Sequence, residues 1–257
     1  MAWLEDARTP DGLRLYAMGD IHGCVAPLVR RYQAIRADLA ANPVADYRII
    51  LLGDLVDRGP ASPGVLDWLI AEMAADPRVI SVRGNHDTYL SAFMADPMTD
   101  TFWGWASYGG AKTMADYGIA PDRIDPDLDG WERRALHADL SRLVPDSHLA
   151  LIRGLPLTLI FGDYLFVHAG LRPGVPLERQ DEEDLLWIRE PFLSAPDAYS
   201  HVVVHGHTVS TSVDVRCNRI GIDTGLVFGR ELSCLVLEGD ARCLLRDNGR
   251  RPLPDPV

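Results

Sequence analysis

LRLYAMGDIHG (13–23) reads as a buried strand that runs directly into a turn carrying an aspartate and a histidine. The same grammar recurs in YRIILLGDLVDRGP (47–60), RVISVRGNHD (78–87), YLFVHAG (164–170) and HVVVHGHT (201–208), where an apolar run meets a cluster of Asp, His or Asn. In open α/β sheets, ligands bind beyond the carboxyl ends of the strands, so five such ends point to one shared site. The strands are expected at 13–18, 47–52 and 78–82. Between them, APLVRRYQAIRADLAA (26–41) spaces Leu28, Tyr32, Ile35 and Leu39 as a helix does, and PGVLDWLIAEMAA (63–75) opens with a helix-compatible proline. This βαβαβ order predicts parallel strands joined by right-handed crossovers.

The rest of the chain predicts a mixed sandwich. Runs at 157–161 and 164–167 flank Gly162-Asp163, a hairpin signal, and short apolar runs follow at 201–204, 219–222, 234–237 and 243–245. Antiparallel pairing is expected in that last third, giving an α/β fold in which a mixed β-sandwich is flanked by helices. Residues 96–146 differ in character, with Trp103, Trp105, Trp131, Gly109-Gly110 and the turn-rich PDRIDPDLDG (121–130). They read as a mostly helical insertion walling one side of the site. Its tryptophans suit core and wall packing, the sharper alternative being an aromatic platform for a nucleobase. The tail RRPLPDPV (250–257) is expected to be loosely ordered.

A chain of 257 residues, 47% of them hydrophobic, suits one large domain covering 1–257. No apolar run reaches a membrane-spanning length and the start lacks a secretory pattern, so a cytoplasmic location is expected. Cys24, Cys217, Cys234 and Cys243 have no CxxC spacing and read as reduced thiols. A net charge of −12 argues against nucleic acid or an anionic membrane as partner. It leaves a phosphorylated substrate open.

Asp20 and His22 are one residue apart, close enough in a tight turn to share an ion. A carboxylate with an imidazole suits manganese, iron or zinc. Asp54 is the natural bridge to a second ion, with Asn85, His168 and His207 supplying an amide and two imidazoles. Two ions about 3.5–4 Å apart activate a bridging water and hold a phosphoryl oxygen, which is the chemistry of phosphoester hydrolysis. His205 is assigned to the strand end beside His207. His137, His148 and His201 read as structural or exposed, and Asp87 acquires no role.

Taken in order, GDIHG, GDLVDRG, GNHD, VHAG and GHT resemble the calcineurin-like metallophosphoesterases, and more narrowly the bacterial and phage serine/threonine protein phosphatases of the PPP type. The likeness covers about residues 13–239, including IGIDTGLVFGRELSCLVLEG (220–239). It implies a β-sandwich with flanking helices and a dinuclear centre, commonly of manganese, at the carboxyl ends of the strands. By position it implies Asp20 and His22 on the first ion, Asp54 bridging, and Asn85, His168 and His207 on the second. It makes His86 the acid that protonates the leaving oxygen and Asp57 the carboxylate that holds its imidazole. Arg58, with Arg189 of LLWIRE (185–190), grips the phosphoryl oxygens. The function so implied is hydrolysis of phosphoserine and phosphothreonine in proteins or peptides by a hydroxide bridging the ions, with small phosphoesters or nucleotides as further substrates. The nearest rival is a dinucleoside tetraphosphate hydrolase, which shares the five motifs but typically has Ala where this chain has Asp57. A phosphopeptide-binding pseudoenzyme is disfavoured by the complete ligand set.

Overall fold

The structure, a computed structural model, describes residues 2–196 and 199–256. Strand β1 (Leu13–Met18), helix α1 (Val25–Ala41), β2 (Asp46–Leu51), α2 (Ser62–Ala75) and β3 (Val79–Ser81) form the expected alternation, which α3 (Asn85–Ala95) continues. The next segment holds the short α4 (Phe102–Trp105), a π-helical turn (Ala106–Gly110), α5 (Ala111–Asp116) and α6 (Gly130–Leu143). Helix α6 starts where the sequence supplies a reciprocal cap. Asp129 accepts the N–H groups of Trp131 and Glu132, and Glu132 accepts that of Asp129. After α7 (Asp146–Gly154) come β4 (Thr158–Phe161), β5 (Tyr164–Val167), α8 (Glu182–Trp187), β6 (Val202–His205), β7 (Asp214–Val215), β8 (Arg219–Gly221), β9 (Cys234–Glu238), β10 (Ala241–Arg246) and β11 (Gly249–Pro252). Among the described residues no helix is long and apolar enough to cross a membrane.

Two sheets result, in the orders β11-β10-β9-β1-β2-β3 and β4-β5-β6-β8-β7. Both are covered on each face, which explains the unbroken apolar runs. In β1, Leu13, Leu15 and Ala17 meet Phe166, Val204 and Ile220 of the second sheet, while Tyr16 and Met18 face a core shared with α1, α2 and α3. The outer face of the second sheet buries Leu165, Val167 and Val203 beneath Leu185 and Phe192.

Strand register positions the site. Met18 pairs with Leu51 and Leu51 with Ser81, both in parallel, so the loops after β1, β2 and β3 leave side by side. In the second sheet Val167 pairs with His205 and His205 with Gly221, again in parallel, aligning the exits of β5, β6 and β8.

Two expectations are corrected. The C-terminal third is antiparallel only in part. Strand β6 is parallel to both neighbours, while β9 and β10 follow the antiparallel expectation. An apolar run reports burial on both faces, and the direction of its neighbour depends on the route of the connecting chain. The tail is also ordered further than its prolines suggest, since β11 pairs with β10. Arg250 is the reason. Its Nε and Nη2 donate to the Asp38 carboxylate at 2.9 and 2.7 Å, where the Tyr16 hydroxyl also donates at 2.5 Å.

Burial pushes the Asp38 pKa up, but the bonds from Arg250 and Tyr16 outweigh it and hold the group below the usual carboxylate range. A depressed pKa stabilises the fold at pH values above that of the unfolded carboxyl, about 3.9, and the effect is lost as pH falls through the folded value. Arg250→Ala is therefore expected to destabilise by about 2 kcal/mol at pH 7, the gap from wild type narrowing below about pH 4. Urea melts across that range check it, and a gap independent of pH would refute the pairing.

Candidate functional site

The parallel exits bring the sequence-marked residues together at one edge of the sandwich. The Asp20 carboxylate accepts the backbone N–H of His207 at 3.2–3.3 Å, and a Cβ on Gly206 would stand 2.1 Å from Asp20 Oδ1. Only glycine permits that approach. Asp54, buried, turns Oδ2 toward His22 Nε2 (3.5 Å) and Oδ1 toward His168 Nε2 (3.4 Å), and Oδ1 also accepts the His86 backbone N–H (3.0 Å). Asn85 Oδ1 lies 2.7 Å from His168 Nε2 and 3.0 Å from His207 Nδ1.

These imidazoles are oriented to present lone pairs. His22 Nδ1 lies 2.9 Å from the Val56 carbonyl and His168 Nδ1 lies 2.7 Å from that of Leu52. Only a ring N–H satisfies those carbonyls, so in the neutral rings both Nε2 atoms face the Asp54 carboxylate as acceptors. Burial pushes the pKa of His22 down to about 4 and that of His207 to about 2, keeping both rings neutral at pH 7. The buried His207 Nε2 has no hydrogen-bond partner among the described residues. Acceptors converging without protons between them are the donor set a cation needs, so the residues fit divalent metal. Among the described residues, two groups of histidine and carboxylate atoms lie within 4.8 Å of one another: His22, Asp54 and His86, and Asp54, His168 and His207. Asp20 belongs to neither group. Its pKa is raised well above the ordinary value by burial, then by Asp223 and Asp54.

His86 Nδ1 lies 2.8 Å from Asp57 Oδ2. Burial works against its protonation, but the Asp54 and Asp57 carboxylates outweigh burial and raise its pKa. Arg58 extends over the site, with Nη1 2.6 Å from His22 Nε2 and Nε donating to the Tyr108 carbonyl at 3.2 Å. Gly109, at φ 130°, lies against Arg58 so closely that a Cβ would fall 2.6 Å from its Cγ. Arg189, Trp187, Tyr89 and Tyr108 complete a cavity of about 310 Å³ over Asp54, Asn85, His86 and His207. A larger groove of about 680 Å³ shares Trp187 and Arg189 with it, but is lined by acidic residues and contains no imidazole, so the chemistry belongs to the smaller cavity. Asp184, a competing partner for Arg189, is held instead by Arg172 at 2.5–2.6 Å.

Four further residues contribute that motif reading did not assign. Thr113 Oγ1 (2.6 Å) and Trp105 Nε1 (3.2 Å) donate to Asp57 Oδ1, so the insertion fixes the carboxylate that faces His86. Nothing in the local sequence announces this. Asp87 accepts the N–H groups of Leu55 and Gly84, both at 2.8 Å, tying the second loop to the third. Asp223, buried after β8, marks a sixth polar strand end, and IGID (220–223) carried the same signal as the other five. His205 ends β6 with Nε2 3.2 Å from Arg219 Nη1, behind the site, and the buried His148 bonds Tyr117 and Asp67.

The chain is similar to the symmetrical bis(5'-nucleosyl)-tetraphosphatase of Aromatoleum aromaticum, with 33% identity over 162 residues, which are 63% of this chain and 46% of that protein. It spans about half the length of the curated relatives it matches. A solved structure of a provisionally named diadenosine tetraphosphatase superposes with a TM-score of 0.62 at 22% identity, covering 93% of this chain and 97% of the other. A cold-active protein tyrosine phosphatase superposes at 0.58 and 16% identity, covering 98% and 82%. At such identities the two structures support the fold alone. The family pattern described as calcineurin-like phosphoesterase matches residues 13–239. That span runs from β1 through β9 and takes in all six strand-end loops, so the chain belongs to the calcineurin-like phosphoesterase family.

Proposed function

We propose that this metallophosphoesterase hydrolyses dinucleoside tetraphosphates, splitting them symmetrically into two nucleoside diphosphates. The observation that carries the reading is the 33% identity to a relative bearing that name. It displaces the serine/threonine protein phosphatase favoured by the motifs, which the two enzyme classes share. The cavity chemistry supports it, because Arg58 and Arg189 each present a planar fork suited to phosphate oxygens, and a chain of phosphates engages both.

Asp20, His22 and Asp54 would hold one divalent ion, and Asp54, Asn85, His168 and His207 the other. The mixed oxygen and nitrogen set suits manganese, with iron and zinc sharing the preference. Bound there, the ions supply an activated water and neutralise charge on the phosphoryl oxygens. Arg58, now on His22 Nε2, must turn from it to meet a phosphate. His86, steadied at Nδ1 by Asp57, holds a proton at Nε2 for the departing oxygen. The test is turnover of diadenosine tetraphosphate, a phosphoserine peptide and a phosphotyrosine peptide side by side with added manganese. The tetraphosphate is expected to have the highest kcat/KM and to yield ADP as its sole nucleotide product. ATP plus AMP, or a faster phosphoserine peptide, would contradict the proposal.

One observation favours a second reading, hydrolysis of phosphomonoesters. Asp57 lies 2.8 Å from His86, and that pairing equips the site for a poor leaving group. If His86 is the acid, His86→Asn should reduce turnover of the phosphoserine peptide by about 10²–10⁴-fold, the usual range of general acid catalysis. The loss should be clearly smaller for p-nitrophenyl phosphate, whose leaving group departs without a proton. Equal losses on both, with metal content intact, would rule out the acid role.

A further inference from the structure

Residues 96–146 expose an aromatic pair beside the cavity that none of the hydrolytic chemistry uses. Helix α4 is two-sided. Phe102 and Trp105 are fully buried, Trp105 reaching Asp57, whereas Trp103 is 49% exposed. Tyr108, 56% exposed, meets Trp103 edge to face with ring centroids 6.2 Å apart. Tyr108 also lines the cavity, and its carbonyl accepts from Arg58 at 3.2 Å. A continuous path therefore leads from His22 through Arg58 and Tyr108 to Trp103.

Volume and charge decide what leaves along that path. The cavity, at about 310 Å³, stands at the small end of ligand pockets, roughly 300–1,000 Å³. It accommodates phosphates, and the nucleosides of a dinucleotide must lie outside it. On the other side, past Trp187 and Arg189, the wall carries Asp181, Glu182, Glu183, Asp184 and Glu190 against one further cation, Arg172, which is already paired with Asp184. Those carboxylates repel a polyphosphate. The aromatic side has two half-exposed rings on a buried anchor, and every nucleobase presents a π-face to such rings.

Resting on the proposed tetraphosphatase function, we infer that Trp103 and Tyr108 form a stacking platform for one nucleobase of the substrate, and so favour dinucleoside polyphosphates over phosphoesters without a base. The pair acts in binding. Trp103→Ala should raise KM for diadenosine tetraphosphate about 10-fold, within the range of a single base–aromatic stack, while kcat falls far less. Trp103→Phe should recover most of the affinity, and ADP should quench tryptophan fluorescence in wild type more strongly than in Trp103→Ala. An unchanged KM and unchanged quenching in Trp103→Ala, with tetraphosphate turnover retained, would overturn the platform alone. Absence of tetraphosphate turnover in wild type would overturn the functional reading and the platform with it.

Discussion

Each oxygen of the buried Asp54 carboxylate is turned to a different sheet: Oδ2 to His22, which follows β1, and Oδ1 to His168, which follows β5. An isolated buried carboxylate is strongly disfavoured, so the surrounding loops are committed to satisfying it. They do so only in part: the His86 backbone N–H donates to it, while the imidazoles, whose far nitrogens are fixed on the carbonyls of Val56 and Leu52, turn lone pairs toward it and leave a place for a cation. Asp54 thereby converts the alignment of parallel strands into a chemical site. The remaining negative charge, with Asp20 and Asp223 close by, is what two divalent cations would neutralise.

The backbone carries the cost of this arrangement. Among the described residues, the non-glycine positions with positive φ are His22, Asp54, Asp57, Arg58 and His207, and all five belong to the site. Such conformations cost about 1–3 kcal/mol each and persist only where the surroundings over-determine them. Glycine would adopt them freely but offers no ligand. The conflict between local preference and function is resolved by strands buried on both faces, which hold the loop ends in place, and by contacts such as Asp87 on Leu55 and Gly84.

What the sequence disclosed follows from the same physics. Strands β1, β2 and β3 and the convergence of the turns that bear Asp20, His22, Asp54, Asn85 and His86 were legible because a buried parallel strand needs an unbroken apolar run, and the turn after it pairs glycine with polar side chains. The direction of β6 was not legible, because Val202, Val203 and Val204 look alike in either orientation. Arg250 was hidden by distance: its partner Asp38 lies on α1, far along the chain. Thr113 and Trp105 reach Asp57 from an insertion whose composition signals helices and core, and hydrogen bonds to a remote carboxylate leave no periodic trace. The motifs conveyed the reaction class but not the substrate, since they cluster at the strand ends while the wall over the cavity is built by residues outside them, among them Tyr108 and Trp187.

Locating the metal ions by anomalous diffraction from crystals of the manganese-loaded protein tests the central claim most directly. Two ions are expected, one against Asp20 and His22 Nε2 and the other against Asn85 Oδ1, His168 Nε2 and the His207 imidazole, with the Asp54 carboxylate touching both. A single ion at saturating manganese, or two ions of which only one contacts Asp54, would contradict it.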